Sequence, residues 1–120
     1  MKRWIVLLAL ASLSPTSLYA DQLFCKLQNK YFYDAYGYSY ASLNTVSGAV
    51  RLGDGEKWTD SFTAKRKTVA VGEKFTWKKV LYNKKQNRNW NVHLTFRIFK
   101  DGSYELRVNE HHRIPLICKT

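Results

Sequence analysis

Residues 90–108 constrain the fold more than any other stretch of the chain. Trp90, Val92, Leu94, Phe96 and Ile98 are apolar at every second position, with Asn91, His93, Thr95 and Arg97 between them. That is the period of a strand with one buried face. Lys100, Asp101 and Gly102 interrupt it, and Tyr104, Leu106 and Val108 resume it. A two-residue Asp-Gly turn would set Ile98 opposite Glu105 and Phe96 opposite Arg107, mixing core and charge on one face. A three-residue loop with Gly102 left-handed avoids the conflict. Ile98 then faces Tyr104, Phe96 faces Leu106, Leu94 faces Val108, and Arg97 meets Glu105 on the wet side. Pattern and turn chemistry agree on an antiparallel hairpin.

Residues 1–20 carry basic Lys2 and Arg3, then an apolar run to Leu13, then small or polar residues ending on Ala20. This is the layout of a secretory signal peptide, with cleavage expected after Ala20. Residues 21–120 suffice for a single domain with a modest core. Cys25 and Cys118 lie near its two ends, and an exported chain with two cysteines pairs them. A bridge closing nearly the whole domain stabilises it by about 4 to 5 kcal/mol in the chain-entropy picture. The expected location is periplasmic or secreted, with no membrane span in the mature chain.

Other strands follow from the same alternation. Leu23, Cys25 and Leu27 mark the first. Val50 and Leu52 precede the turn signal Gly53-Asp54-Gly55, and Val69 to Val71 form a short run before a turn at Gly72-Glu73. Residues 75–82 read as a strand whose alternation slips at Lys79, Val80 and Leu81, where a bulge would restore it. Ile114, Leu116 and Cys118 make a last strand, which should lie on an edge or begin irregularly because Pro115 lacks a ladder donor. Trp58 and Phe62, four apart, fit a helix turn or alternate strand positions. The aromatics of residues 31–40 read as half-buried sheet, with a sugar- or base-stacking platform as the alternative. No stretch of ten or more residues has helical periodicity. The expectation is an all-β domain of six to eight antiparallel strands, a small barrel or sandwich.

The charge is concentrated. Without Lys2 and Arg3 the chain keeps 18 basic and nine acidic residues, a net +9. Between positions 65 and 88 stand nine basic residues against Glu73 alone, so the partner should be anionic. The candidate binding residues are Lys65, Arg66, Lys67, Lys78, Lys79, Lys84, Lys85 and Arg88. The last three belong to residues 83–89, which contain no apolar side chain between two strong strands and read as an exposed hairpin tip on which the fold does not depend.

Catalytic chemistry finds little purchase. No serine stands in a GxSxG elbow and no glycine-rich phosphate loop occurs. There is no CxxC pair, and the histidines lack the spacing of a metal site. Asp54, Glu56 and Asp60 lack the full register of a calcium loop. His93 with His111 or His112, and Arg107 and Glu110 nearby, supplies the parts of a metal-free ribonuclease, though adjacent His111 and His112 point to opposite faces. The expectation is a binding protein without cofactor or metal. Its most specific form is an inhibitor or immunity protein whose basic tip enters the acidic cleft of an envelope-degrading, peptidoglycan hydrolase-type enzyme. The alternative is a binder of anionic polymers: lipopolysaccharide, acidic polysaccharide or nucleic acid. The seven residues from Gly102 to Val108 are similar to a strand of some bacterial periplasmic lysozyme inhibitors. Animal lysozymes are usually basic, however, so a +9 chain fits an acidic bacterial hydrolase better.

Overall fold

The hairpin expected from residues 90–108 is present in the expected register. In a computed structural model describing residues 21–120, Leu94 pairs with Val108, Phe96 with Leu106, Arg97 with Glu105 and Ile98 with Tyr104. Gly102 closes the loop at a φ of 92°, and the Phe99 N–H donates to the Ser103 carbonyl.

The described residues form nine strands, the hairpin's two among them, and one short helix, in the order β1 (Gln22–Leu27), α1 (Tyr31–Tyr36), β2 (Tyr40–Asn44), β3 (Ala49–Gly53), β4 (Phe62–Thr63), β5 (Lys65–Val69), β6 (Gly72–Asn83), β7 (Arg88–Phe99), β8 (Tyr104–Val108) and β9 (His112–Lys119). The count is nine rather than six to eight, because Lys65–Val69, read from sequence only as a charge run, is a strand. The strands form one antiparallel sheet ordered β4-β3-β2-β1-β9-β8-β7-β6-β5. Its two edges, β4 and β5, are separated by Ala64 alone, whose N–H donates to the Gly48 carbonyl. One continuous segment thus pairs with β3 and then with β6, which makes the sheet a nearly closed up-and-down barrel. A barrel this small fills its interior with side chains, here Leu23, Leu43, Leu52, Phe75, Leu94, Phe96, Leu106 and Ile114, each at most 1% exposed.

The first and last strands meet at a seam stapled by the Cys25–Cys118 disulfide, which joins residues directly opposite each other with Cα atoms 4.0 Å apart. Such a bond suits an oxidising compartment. No described helix is long and apolar enough to cross a membrane. The expected signal peptide lies outside the described residues.

Several local expectations are corrected. Part of the aromatic segment is α1, with Phe32, Ala35 and Tyr36 buried at helical spacing. The Asn29 side chain accepts from the Tyr31 N–H, and Gly37 ends the helix by donating to the Tyr33 carbonyl. β6 and β7 pair without a break from Gly72–Phe99 to Asn83–Arg88, so there is no bulge. Lys79 simply occupies a core-facing position and Val80 an outer one, 56% exposed. The turn before β6 is Ala70-Val71, since Gly72 already pairs with Val69. Any Cβ on Gly72 would fall 1.9 Å from the Ile98 carbonyl oxygen, which only glycine tolerates.

Pro115 lies on an interior strand, not an edge. Its carbonyl accepts from the Gln28 N–H, and the β1–β9 ladder begins one residue later at Leu116. The missing donor therefore points past the end of a ladder and leaves no bond unmade. Trp58 and Phe62 share no face: Trp58 bridges Gly53 on the outside of the barrel, while Phe62 pairs with Val50 and packs on Trp77.

Candidate binding face

Antiparallel partners point to the same side of a sheet, so the register assigns each cation to a face. Three adjoining rows form on the outside of the barrel. The first runs Lys67, Lys74, Arg97, Glu105; the second runs Lys65, Thr76, Thr95, Arg107, Arg113; the third holds Lys78 and His93, with Asn109 hydrogen-bonded to His93. Neighbours along a row are about 5 Å apart and rows about 7 Å apart by strand geometry. The rows hold seven lysines and arginines and one carboxylate. That carboxylate, Glu105, lies 3.6 Å from the Arg107 guanidinium. Three like-charged pairs stand directly opposite each other, Lys67 with Lys74, Lys74 with Arg97 and Arg107 with Arg113, which costs a sheet stability.

Of the sequence candidates, Lys65, Lys67 and Lys78 belong to this face and the others do not. Arg66 shares the inner side with Phe75, lies 5.8 Å from its ring, and is paired with the Glu73 carboxylate. Lys79 sits with its ammonium 5.3 Å from the Phe62 ring at the flank of the barrel, its stem on the core side and its charge toward water.

The hairpin tip is shorter than expected, residues 84–87, and is tied to the barrel. The Asn83 side chain, buried, accepts from the Lys85 and Gln86 N–H groups. The Lys84 N–H donates to the Ala35 carbonyl of α1 at 2.7 Å, and its ammonium lies 5.0 Å over the Tyr33 ring. Arg88 stacks 3.9 Å over Trp90. Lys85 is the tip cation for which no ring or ion-pair contact occurs among the described residues. The tip is therefore built into the fold.

Lys74, Arg97, Arg107 and Arg113 are the face residues that sequence reasoning missed as a site. The signal was present, because the register derived for residues 90–108 already put Arg97 and Arg107 on the wet side. Extending it across β6 and β9 would have completed the rows.

The histidines are split. His93 is on the outer face, its Nδ1 4.0 Å from the Glu110 carboxylate. His112 pairs with core-facing Val108 and stacks on Tyr31 at 3.9 Å. Burial, with Tyr36 close by, pushes the Tyr31 hydroxyl above the ordinary phenol range, so it stays neutral against that imidazole at physiological pH. Among the described residues no three His, Cys, Asp or Glu side chains are grouped to hold a metal. Comparison of the chain with known protein families, curated proteins and solved structures finds no match to any of them.

Proposed function

We propose that this is a non-catalytic, exported binding protein for an extended anionic polymer, held against the outer face of β5–β8 and Arg113 of β9. The observation that carries the reading is the set of rows itself, seven cations on one sheet face with Glu105 the one carboxylate in the rows and Glu110 at their edge beside His93. Opposed like charges are costly, and an anionic ligand relieves that cost. Their spread over a convex surface suits a chain of repeated charges, such as lipopolysaccharide phosphates, acidic polysaccharide or nucleic acid, better than a narrow cleft.

The test is retention on heparin, lipopolysaccharide and single-stranded DNA across a salt series. Binding should fall linearly in a log–log plot. Replacing Lys67, Lys74 and Arg97 together by alanine should flatten the slope by about one for each cation that contacts the polymer. An unchanged slope in that variant would remove the face from consideration.

A second reading keeps the inhibitor or immunity protein. Its support is the stiffness of the tip, where the Asn83 side chain and the Lys84–Ala35 bond hold Lys85 and Gln86 in one geometry, a preorganised element for the acidic cleft of an envelope-degrading enzyme. Here Lys85→Ala should weaken capture of a single protein near physiological salt, while the triple face variant leaves it unchanged.

A further inference from the structure

The opposite side of the barrel carries a different surface. β2 lies four strands from β7 around the ring, and its outer side, with those of β1 and β3, forms a groove of about 340 Å³ under the loop of residues 54–61. That volume is within the range of small-molecule sites. Its walls are Phe24 and Trp58, and its lining includes Gln22, Ser42, Asn44 and Arg51.

The groove is built. Asp54 accepts from the Glu56 and Lys57 N–H groups and starts the loop as a tight turn. The Thr59 N–H then donates to the Leu52 carbonyl, and the Thr59 hydroxyl accepts from the Leu52 N–H. Between them Trp58 is laid across Gly53, whose missing side chain makes room: a Cβ there would meet the indole at 2.9 Å. Phe24 stands edge-on to the indole, centroids 6.4 Å apart. Despite this support Phe24 is 44% and Trp58 43% exposed. Two aromatic rings fixed in place yet open to water are an expense to the fold, and it is recovered when something apolar covers them.

The polar lining says what kind of molecule that is. The Asn44 side chain donates to Gln22 Oε1 at 3.3 Å and accepts from the Val46 and Ser47 N–H groups, which leaves the Gln22 side-chain Nε2 without a partner among the described residues. Among the described residues, amides and hydroxyls line the groove with one guanidinium and no carboxylate. A cationic ligand would lack a counter-charge, and a polyphosphate would meet one cation. A molecule with many hydroxyls on its edge and an apolar C–H face matches both the lining and the rings. We infer that this groove binds an uncharged sugar residue, stacked on Trp58 and hydrogen-bonded by Gln22, Ser42 and Arg51. The site is separate from the cationic face and does not rest on it.

Titration of the purified protein with chito-, cello-, malto- and manno-oligosaccharides, followed by calorimetry and tryptophan fluorescence, tests this. At least one series should bind, with little change between low and high salt. Trp58→Ala should weaken it about tenfold or more, Gln22→Ala should weaken it less, and the Lys67, Lys74, Arg97 triple variant should leave it intact. Should Trp58→Ala not fold, Gln22→Ala and Ser42→Ala carry the test alone. Absence of binding across all four series overturns the proposal, and so does binding that salt abolishes or that survives the groove variants undiminished.

Discussion

The two halves of the β6–β7 hairpin share one unbroken register and are held by different things. At residues 72–76 and 94–98 the hairpin is flanked by further ladders, from β5 and from β8. Among the described residues, 77–83 and 88–92 have no strand beyond each other. Their inner side nevertheless buries Trp77, Leu81 and Val92, and their end rests on α1 through the Lys84–Ala35 bond. The first half is stabilised by ladder and core as any barrel strand is. The second is an arm whose place depends on a helix about 50 positions earlier in the chain.

Breaking the seam should leave that contrast untouched. Replacing Cys25 and Cys118 together by alanine removes a bond across a separation of 93 residues, with an expected loss of about 4 to 5 kcal/mol in denaturant titration. Amide exchange should rise in both halves alike, because the disulfide constrains the whole unfolded chain. A loss confined to the arm would place the bond's effect elsewhere.

Phe32→Ala should separate the halves. Phe32 is fully buried in α1, against Tyr36 and Tyr38, and emptying its site should cost about 3 kcal/mol, the low end for an aromatic truncation because the barrel mouth can partly collapse. Exchange protection should fall first at residues 77–83 and 88–92, with residues 94–98 still protected. Equal loss in both halves would mean that α1 is part of the common core and the arm has no separate support.

At the arm's tip the effects shrink. Asn83→Ala leaves the Lys85 and Gln86 N–H groups without their acceptor, for about 1 to 2 kcal/mol. Lys84→Ala and Arg88→Ala remove cation–ring contacts of about 0.5 to 1 kcal/mol each, and Lys85→Ala should leave the melting temperature unchanged. That gradation vanishes, with every substitution costing less than about 0.5 kcal/mol, if the tip is a loose solvated loop.

What could be read in advance follows the same division. The 94–98 hairpin was legible because alternation, turn length and Gly102 all select one pairing. The arm was not, because its evidence is split: Phe32, Ala35 and Tyr36 show helical spacing for fewer than two turns, and nothing local to Lys84 announces that Ala35 will meet it. Lys79 misled for a related reason. At a core-facing position with a charged tip it broke the alternation on paper, whereas the long stem of lysine lets the backbone continue without a bulge. The basic stretch of residues 65–88 correctly gave the sign of the surface. It could not give its membership, since half of the outer rows come from β7, β8 and β9, far away in sequence and brought alongside by the barrel.

The smallest expected effect is on acidity, and it distinguishes the ends of the hairpins by the residue that caps each. The lower turn, after β7, is capped by Asp101, which accepts from the Ser103 hydroxyl and N–H; these bonds, the hydroxyl's first, hold its carboxyl below the usual range. Bonds from the Lys57 and then the Glu56 N–H do the same for Asp54 in the loop beneath Trp58. The arm's tip uses Asn83 for the equivalent bonds, and an amide does not titrate in this range. A carboxyl whose folded pKa is depressed contributes stability at pH above its unfolded value, about 3.9, and loses that contribution as pH falls through the folded value. Acidification below about pH 4 should therefore shift the Ser103, Glu56 and Lys57 amide resonances and loosen those turns, while the Lys85 and Gln86 amides stay fixed. Both carboxyls are fully exposed, so global stability should change little. Asp101→Asn should make the Ser103 amide indifferent to pH. Titration of the Lys85 and Gln86 amides in step with Ser103 would mean that the arm follows the barrel's acid response, and that its independence does not extend to the tip.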